Sequence, residues 1–142
     1  MSRTTLRALV AGTALLFATN AFAADRTAFN ETPDLSPARA KIKAKDYKAA
    51  IDELKPMTAL YQHADIYNLL GFSLRKSGDM PQAAVFYAKA LDLDGDHKSA
   101  LEYQGEMFVE LGEIEKAKIN LARLVTLCPQ GCEELDDLAE AI

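Results

Sequence analysis

Two consecutive stretches decide the fold: ADIYNLLGFSLRKSGDMPQAAVFYAKALDLDGDH (Ala64–His97) and KSALEYQGEMFVELGEIEKAKINLARLVTLCPQG (Lys98–Gly131). Laid over each other at a shift of 34, they place Gly71 on Gly105, Gly78 on Gly112 and Ala83 on Ala117. Large apolar residues fall on large ones: Tyr67 on Leu101, Leu74 on Phe108, Tyr87 on Leu121 and Leu93 on Leu127. Three small-residue identities and four apolar matches in one register mark an internal repeat. Each unit reads as a helical hairpin. Gly71 and Gly105 stand inside helical patterns, where glycine costs about 1 kcal/mol relative to alanine; their use is to let another helix come close. Ala83 and Ala117 are the matching small residues of the second helix. Between the helices, Ser77-Gly78-Asp79 supplies a glycine for the end of one and an N-cap for the next, and Pro81 is tolerated in a first turn.

The pattern resembles the tetratricopeptide repeat. That family wants a large or aromatic residue, then Leu-Gly, Tyr, Ala, an aromatic, Ala and Pro. In the first block these are Tyr67, Leu70-Gly71, Leu74, Ala83, Tyr87, Ala90 and Gly95. In the second they are Leu101, Gln104-Gly105, Phe108, Ala117, Leu121, Leu124 and Pro129, with Gln104 and Leu124 the main departures. The resemblance implies an all-α solenoid of helical hairpins with a C-terminal capping helix. It spans about residues 37–142 and divides into a degenerate repeat (37–63), two full repeats (64–97 and 98–131) and a cap (132–142).

The degenerate repeat is read from Asp46, Ala50 and Leu54, which align with Asp79, Ala83 and Tyr87 at a shift of 33. Its first helix is short, with Ser36 as cap and Pro37 as first residue. Pro56 predicts a kink or an early stop in the second helix, because proline inside a helix costs about 3 kcal/mol. In the tail, Glu133 and Glu134 suit a helix N-terminus. Leu135, Leu138, Ala139 and Ile142 recur at helical spacing, the sign of the capping helix that solenoids need.

Outside the repeats, Arg3 and Arg7, the apolar run Ala8–Ala18 and Ala21-Phe22-Ala23 have the layout of a secretory signal peptide cleaved after Ala23. Residues 24–36 show no periodicity and read as a flexible leader. The expectation is a periplasmic or secreted chain with no integral membrane anchor after cleavage. Removing Arg3 and Arg7 from the 16 basic residues leaves 14 against 21 acidic ones, a formal charge of −7. That opposes nucleic-acid binding, which needs a cationic surface. Lys41, Lys43, Lys45 and Lys48 are interrupted by acids and read as a solvated helix face.

The resemblance also implies a concave groove lined by the first helix of each hairpin. In this register its positions are Asp65, Asn68, Phe72, Arg75 and Lys76, then Ser99, Glu102, Glu106, Val109 and Glu110. Many members of the family hold a peptide or helix there, some through a Lys/Arg/Asn clamp on an acidic C-terminus. Asn68 and Arg75 would serve such a clamp, but Glu102, Glu106 and Glu110 oppose it. The expectation is a protein partner with a basic or mixed-charge segment, anchored on Phe72. The alternative is that the glutamate face is merely solvated.

Cys128 and Cys132 are the only cysteines. In an exported chain an even count favours a disulfide, here pinning the capping helix. Thiol redox chemistry or Cu(I) binding by the same pair is the alternative. The Cys-Pro-x-Gly-Cys-Glu-Glu ending also resembles that of small exported proteobacterial members of the family. Asp92-Leu93-Asp94-Gly95-Asp96 fails as a calcium loop, since His97 stands where glycine should and Tyr103 where glutamate should. His63 and His97 read as solvated turn residues. No phosphate loop, nucleophile elbow or zinc-protease motif is present, so neither catalysis nor a cofactor is expected. Three functions fit: an envelope adaptor or assembly factor, a thiol or copper handler, and a self-associating structural protein.

Overall fold

The computed structural model describes residues 33–142; the signal-peptide reading and most of the leader lie outside them. Seven helices follow in order: α1 (Ser36–Lys43), α2 (Tyr47–Leu60), α3 (Ala64–Lys76), α4 (Met80–Leu93), α5 (Lys98–Glu110), α6 (Ile114–Leu127) and α7 (Glu133–Ala141), with no strand among the described residues. Helices α1/α2, α3/α4 and α5/α6 are antiparallel hairpins. They stack so that α1 touches α3, α3 touches α5 and α5 touches α7. Helix α7 thus stands where the first helix of a fourth hairpin would stand. The expected all-α hairpin solenoid with its capping helix is the observed architecture.

The three turns are built alike. Gly78 and Gly112 adopt φ of 88° and 75°. The amide after each donates to the carbonyl five residues back, Asp79 to Leu74 and Glu113 to Phe108, which is the Schellman closure. The first hairpin makes the same closure, from the Asp46 amide to the Lys41 carbonyl, but with Lys45 at φ 59° in place of glycine. In the first two hairpins the new helix then starts on an aspartate: Asp46 accepts from the Ala49 amide and Asp79 from the Gln82 amide.

The core runs along the interior of the stack through Leu54, Ile66, Leu70, Tyr87 and Met107. Leu35, at the end of the leader, is buried in it. At Gly71 an added Cβ would lie 2.8 Å from the Tyr87 ring, and at Gly105 it would lie 2.5 Å from the Leu138 side chain. The first glycine therefore admits the ring of its own hairpin partner, and the second admits the capping helix.

Two local details are settled. Of the kink or early stop expected at Pro56, the early stop does not occur: helix α2 runs on to Leu60. Both Pro56 and Asp52, whose carbonyl loses its donor, are exposed, which leaves that carbonyl on the solvent side, where the lost bond costs least. Ser36 is not the cap of α1 but its first residue; Asp34 accepts from the Ser36 amide instead.

Candidate functional site

Helices α1, α3, α5 and α7 form one row, and the residues expected to line a groove bridge from helix to helix along it. Asp65 on α3 is held from two sides, accepting from Arg39 of α1 at 3.1 Å and from His97 Nε2 at 2.7 Å. The His97 hydrogen bond, more than any other influence, keeps the Asp65 carboxyl below its usual range. His97 is therefore not a solvated turn residue. Its side chain is 13% exposed, and its Nδ1 accepts from the Ala100 amide as the N-cap of α5. His63 caps α3 in the same way, through the Asp65 amide.

Phe72 is half-buried within an aromatic set. The Tyr103 ring lies 4.8 Å from it and Tyr47 makes an edge contact at 6.3 Å. The Lys76 ammonium sits 5.4 Å above the Phe72 ring, a cation–π distance. Beside this set lies an open cavity of about 210 Å3, lined by Arg39, Ile42, Lys43, Leu69, Phe72 and Tyr103. Its floor is apolar and its α1 rim is basic.

Arg75 and Asn68 do not form a clamp. The Arg75 side chain is 1% exposed. It donates through Nη2 to Glu106 and through Nη1 to Glu110 at 3.2 Å. Burial opposes its charge, but Tyr87, the Glu106 hydrogen bond and the Glu106 and Glu110 carboxylates outweigh that, so its pKa is raised. Asn68 is 3% exposed, with its side-chain oxygen unpaired. The acidic face expected from Glu102, Glu106 and Glu110 is weaker than its composition suggests, because two of the three share one buried cation, which offsets one of their two charges. Val109 is half-buried between them.

Glu102 is the exception. It is 6% exposed. Burial, and then the neighbouring Glu106, Asp137, Glu134 and Glu133, push its carboxyl up to about 8. It faces a cavity of about 130 Å3 between α5 and α7, lined also by Ser99, Tyr103, Glu133, Glu134 and Asp137. Tyr103 thus borders both cavities, joining an apolar, basic-rimmed end of the row to an acidic end. The Tyr103 hydroxyl is itself shifted upward, by burial first and then by Glu102 and Glu106.

Arg39, Ile42 and Lys43 fall outside the expected lining residues, as do Leu69, Tyr103 and the α7 acids. The register holds the signal for most of them. At the shift of 33, Arg39, Ile42 and Lys43 correspond to Phe72, Arg75 and Lys76. At the shift of 34, Leu69, Tyr103 and Asp137 are one repeat position.

Cys128 and Cys132 lie at disulfide-bond distance with Cα atoms 5.8 Å apart. The bond joins the C-cap of α6 to the N-cap of α7 and fits the spacing a disulfide requires. No helix among the described residues is long and apolar enough to cross a membrane.

Residues 64–97 match the family described as Tetratricopeptide repeat. No curated protein matches the sequence. Among solved structures, the chain is similar to the second TPR domain of human RPAP3, determined by NMR in complex with the HSP70 peptide SGPTIEEVD, at a TM-score of 0.65 and 20% identity. The likeness covers 74% of this chain and 88% of that one. At that identity it speaks for the fold.

Proposed function

We propose that this chain is a non-catalytic protein-interaction module whose α1/α3/α5 groove holds a segment of a partner protein. The observation that carries the reading is the cavity beside Phe72, where an apolar floor of Ile42, Leu69, Phe72 and Tyr103 lies open beneath Arg39 and Lys43. Apolar residues left open within a concave, polar-rimmed surface are what a side-chain anchor needs. The similar RPAP3 domain is held with a peptide carrying three acids. Here an acidic segment finds Arg39 and Lys43 at one end but meets Glu102 and the α7 carboxylates at the other. A mixed-charge segment with an apolar anchor suits both ends. The leading residues Met1–Ala23 support an exported, periplasmic or secreted location, where such a module would act as an adaptor or assembly factor.

Site-specific photocrosslinking tests this. A photoreactive residue replaces Lys43 in the groove or, as control, Ile119, which is exposed on α6. The protein is then crosslinked in the envelope of its source cells. A discrete partner captured from position 43, absent from position 119 and lost on Phe72→Ala, is the expected result. Capture from position 119 alone would move the interaction to the other face and end the groove reading.

A further inference from the structure

The acidic end of the groove has a feature that helix capping does not explain. Glu133 and Glu134 are at home in the first turn of α7, where the helix dipole favours them. Asp137, one turn further on, and Glu102, on a different helix, have no such reason to be there. The other acids of α3 and α5 are matched by cations: Asp65 by Arg39, and Glu106 and Glu110 by Arg75. Among the described residues, none of Glu102, Glu133, Glu134 and Asp137 has an ion-pair partner, and the only hydrogen bond to their side chains is a long one, from the Ser99 hydroxyl to Glu134 at 3.4 Å. Glu102 is more than nine-tenths buried, makes no side-chain hydrogen bond among the described residues, and lines the cavity. Its carboxyl oxygens are not among the fully buried unpaired atoms and so reach the space of the cavity, where a donor can complete them.

We propose that this cavity is a recognition pocket for one ammonium or guanidinium group, the lysine or arginine side chain of the segment held in the groove. The inference rests on the groove reading and names the chemistry at one end of it. Glu102 supplies the acceptor that lines the cavity. Asp137, Glu133 and Glu134 supply the surrounding field, and Tyr103 forms the wall shared with the apolar cavity. The volume of about 130 Å3 is that of about four waters in the liquid, room for the charged end of such a side chain. No group of three acidic side chains among the described residues is placed to share a metal ion, and the donors a carboxylate set prefers without that geometry are N–H groups.

The charge state of Glu102 gives the proposal a signature. From α7, Glu133, Glu134 and Asp137 face it. From its own helix Tyr103 and Glu106 do so, the latter tied to Arg75 of α3. In the free protein near neutral pH these neighbours and burial keep Glu102 protonated. A bound cation favours the carboxylate. Binding therefore releases the Glu102 proton to solvent as the N–H···O contact forms.

The test titrates the isotope-labelled mature chain with n-butylguanidinium chloride, following backbone amides by NMR and proton release by calorimetry in two buffers of different ionisation enthalpy. Saturable shifts confined to Ser99, Glu102, Tyr103, Glu134 and Asp137, with net proton release, are expected. Both readouts should weaken about tenfold or more in Glu102→Gln and Asp137→Asn. Shifts that do not saturate, or that persist unchanged in both variants, would overturn the pocket. So would calcium chloride saturating the same amides at lower concentration. Failure here with intact cross-links from position 43 removes the pocket and keeps the groove. A saturable pocket with no cross-links from position 43 removes the groove and, with it, the peptide as occupant.

Discussion

Glu102→Gln should stabilise this protein, and the gain should depend on pH in a defined direction. Glu102 has an ordinary carboxyl value of 4.5 that rises to about 8 in the fold. Between those values the native state binds the proton more tightly than the unfolded chain does. Stability contributed by the protonated group is therefore fully present below 4.5 and is lost as pH rises toward 8. The full interval corresponds to an upper bound of about 5 kcal/mol at 1.36 kcal/mol per pH unit. The cavity opens to solvent and its carboxylates are screened by salt, so roughly 2–3 kcal/mol is the expected size. Glutamine keeps the shape and never ionises. Urea unfolding of wild type and variant at about pH 5, 7 and 9 isolates the effect, because the other titrating groups largely cancel in the difference. The two proteins should be nearly equal at the lowest pH, and the variant should lead increasingly at the higher two. A difference that stays flat across the range would show that Glu102 ionises normally, and would refute the burial and carboxylate crowding invoked here.

Three further outcomes follow from the packing. Gly71→Ala should destabilise by about 1–2 kcal/mol in denaturant unfolding, because overpacking against the rigid, buried Tyr87 ring outweighs the helix-propensity gain of about 1 kcal/mol; the 2.8 Å approach of the new Cβ leaves that ring no room. Lys45→Gly should stabilise by up to about 1 kcal/mol and raise the melting temperature by a few degrees, since it relieves a left-handed lysine at a turn where the other two hairpins use glycine. Replacing both Cys128 and Cys132 by serine should cost about 2 kcal/mol, the chain-entropy value for so small a ring; amide hydrogen exchange should show the loss concentrated in α7.

The backbone is legible in the sequence because each of its signals is local. Gly78 and Gly112 mark turns, and Asp46 and Asp79 mark helix starts, by chemistry that needs only neighbouring residues. The histidine caps are local too, but histidine is not a usual N-cap, so His97 reads as a solvated residue until its partners are seen. Pro56 misleads because the cost of a helical proline depends on what replaces the lost hydrogen bond, and only the exposure of Asp52 decides that. The charge along the row of first helices is not legible in composition. Composition counts Arg75 as a free cation and Glu106 and Glu110 as free acids, where the fold joins them. The repeat register does place Val109, flanked by Glu106 and Glu110, opposite Arg75 on the adjacent helix. Their pairing is within reach once neighbouring first helices are laid side by side.

That pairing changes what kind of surface the groove is. Counted by composition, α5 presents three acids and would repel any anionic segment along its length. With Glu106 and Glu110 paired to Arg75, one net negative charge remains in the middle of the row where the acids alone would give two, and its open chemistry is the aromatic floor of Phe72 and Tyr103. Charge also remains at the ends, basic on α1 through Arg39 and Lys43 and acidic where α5 meets α7. The acidic end exists only because α7 takes the place of a first helix, and α7 can do so only because Gly105 leaves room for Leu138. The residue that seats the capping helix thereby also sets Asp137 and its neighbours against Glu102. A segment binding along this row experiences an ordered field, from cationic to apolar to anionic. Such a field selects one chain direction over the other, which a uniformly acidic groove does not.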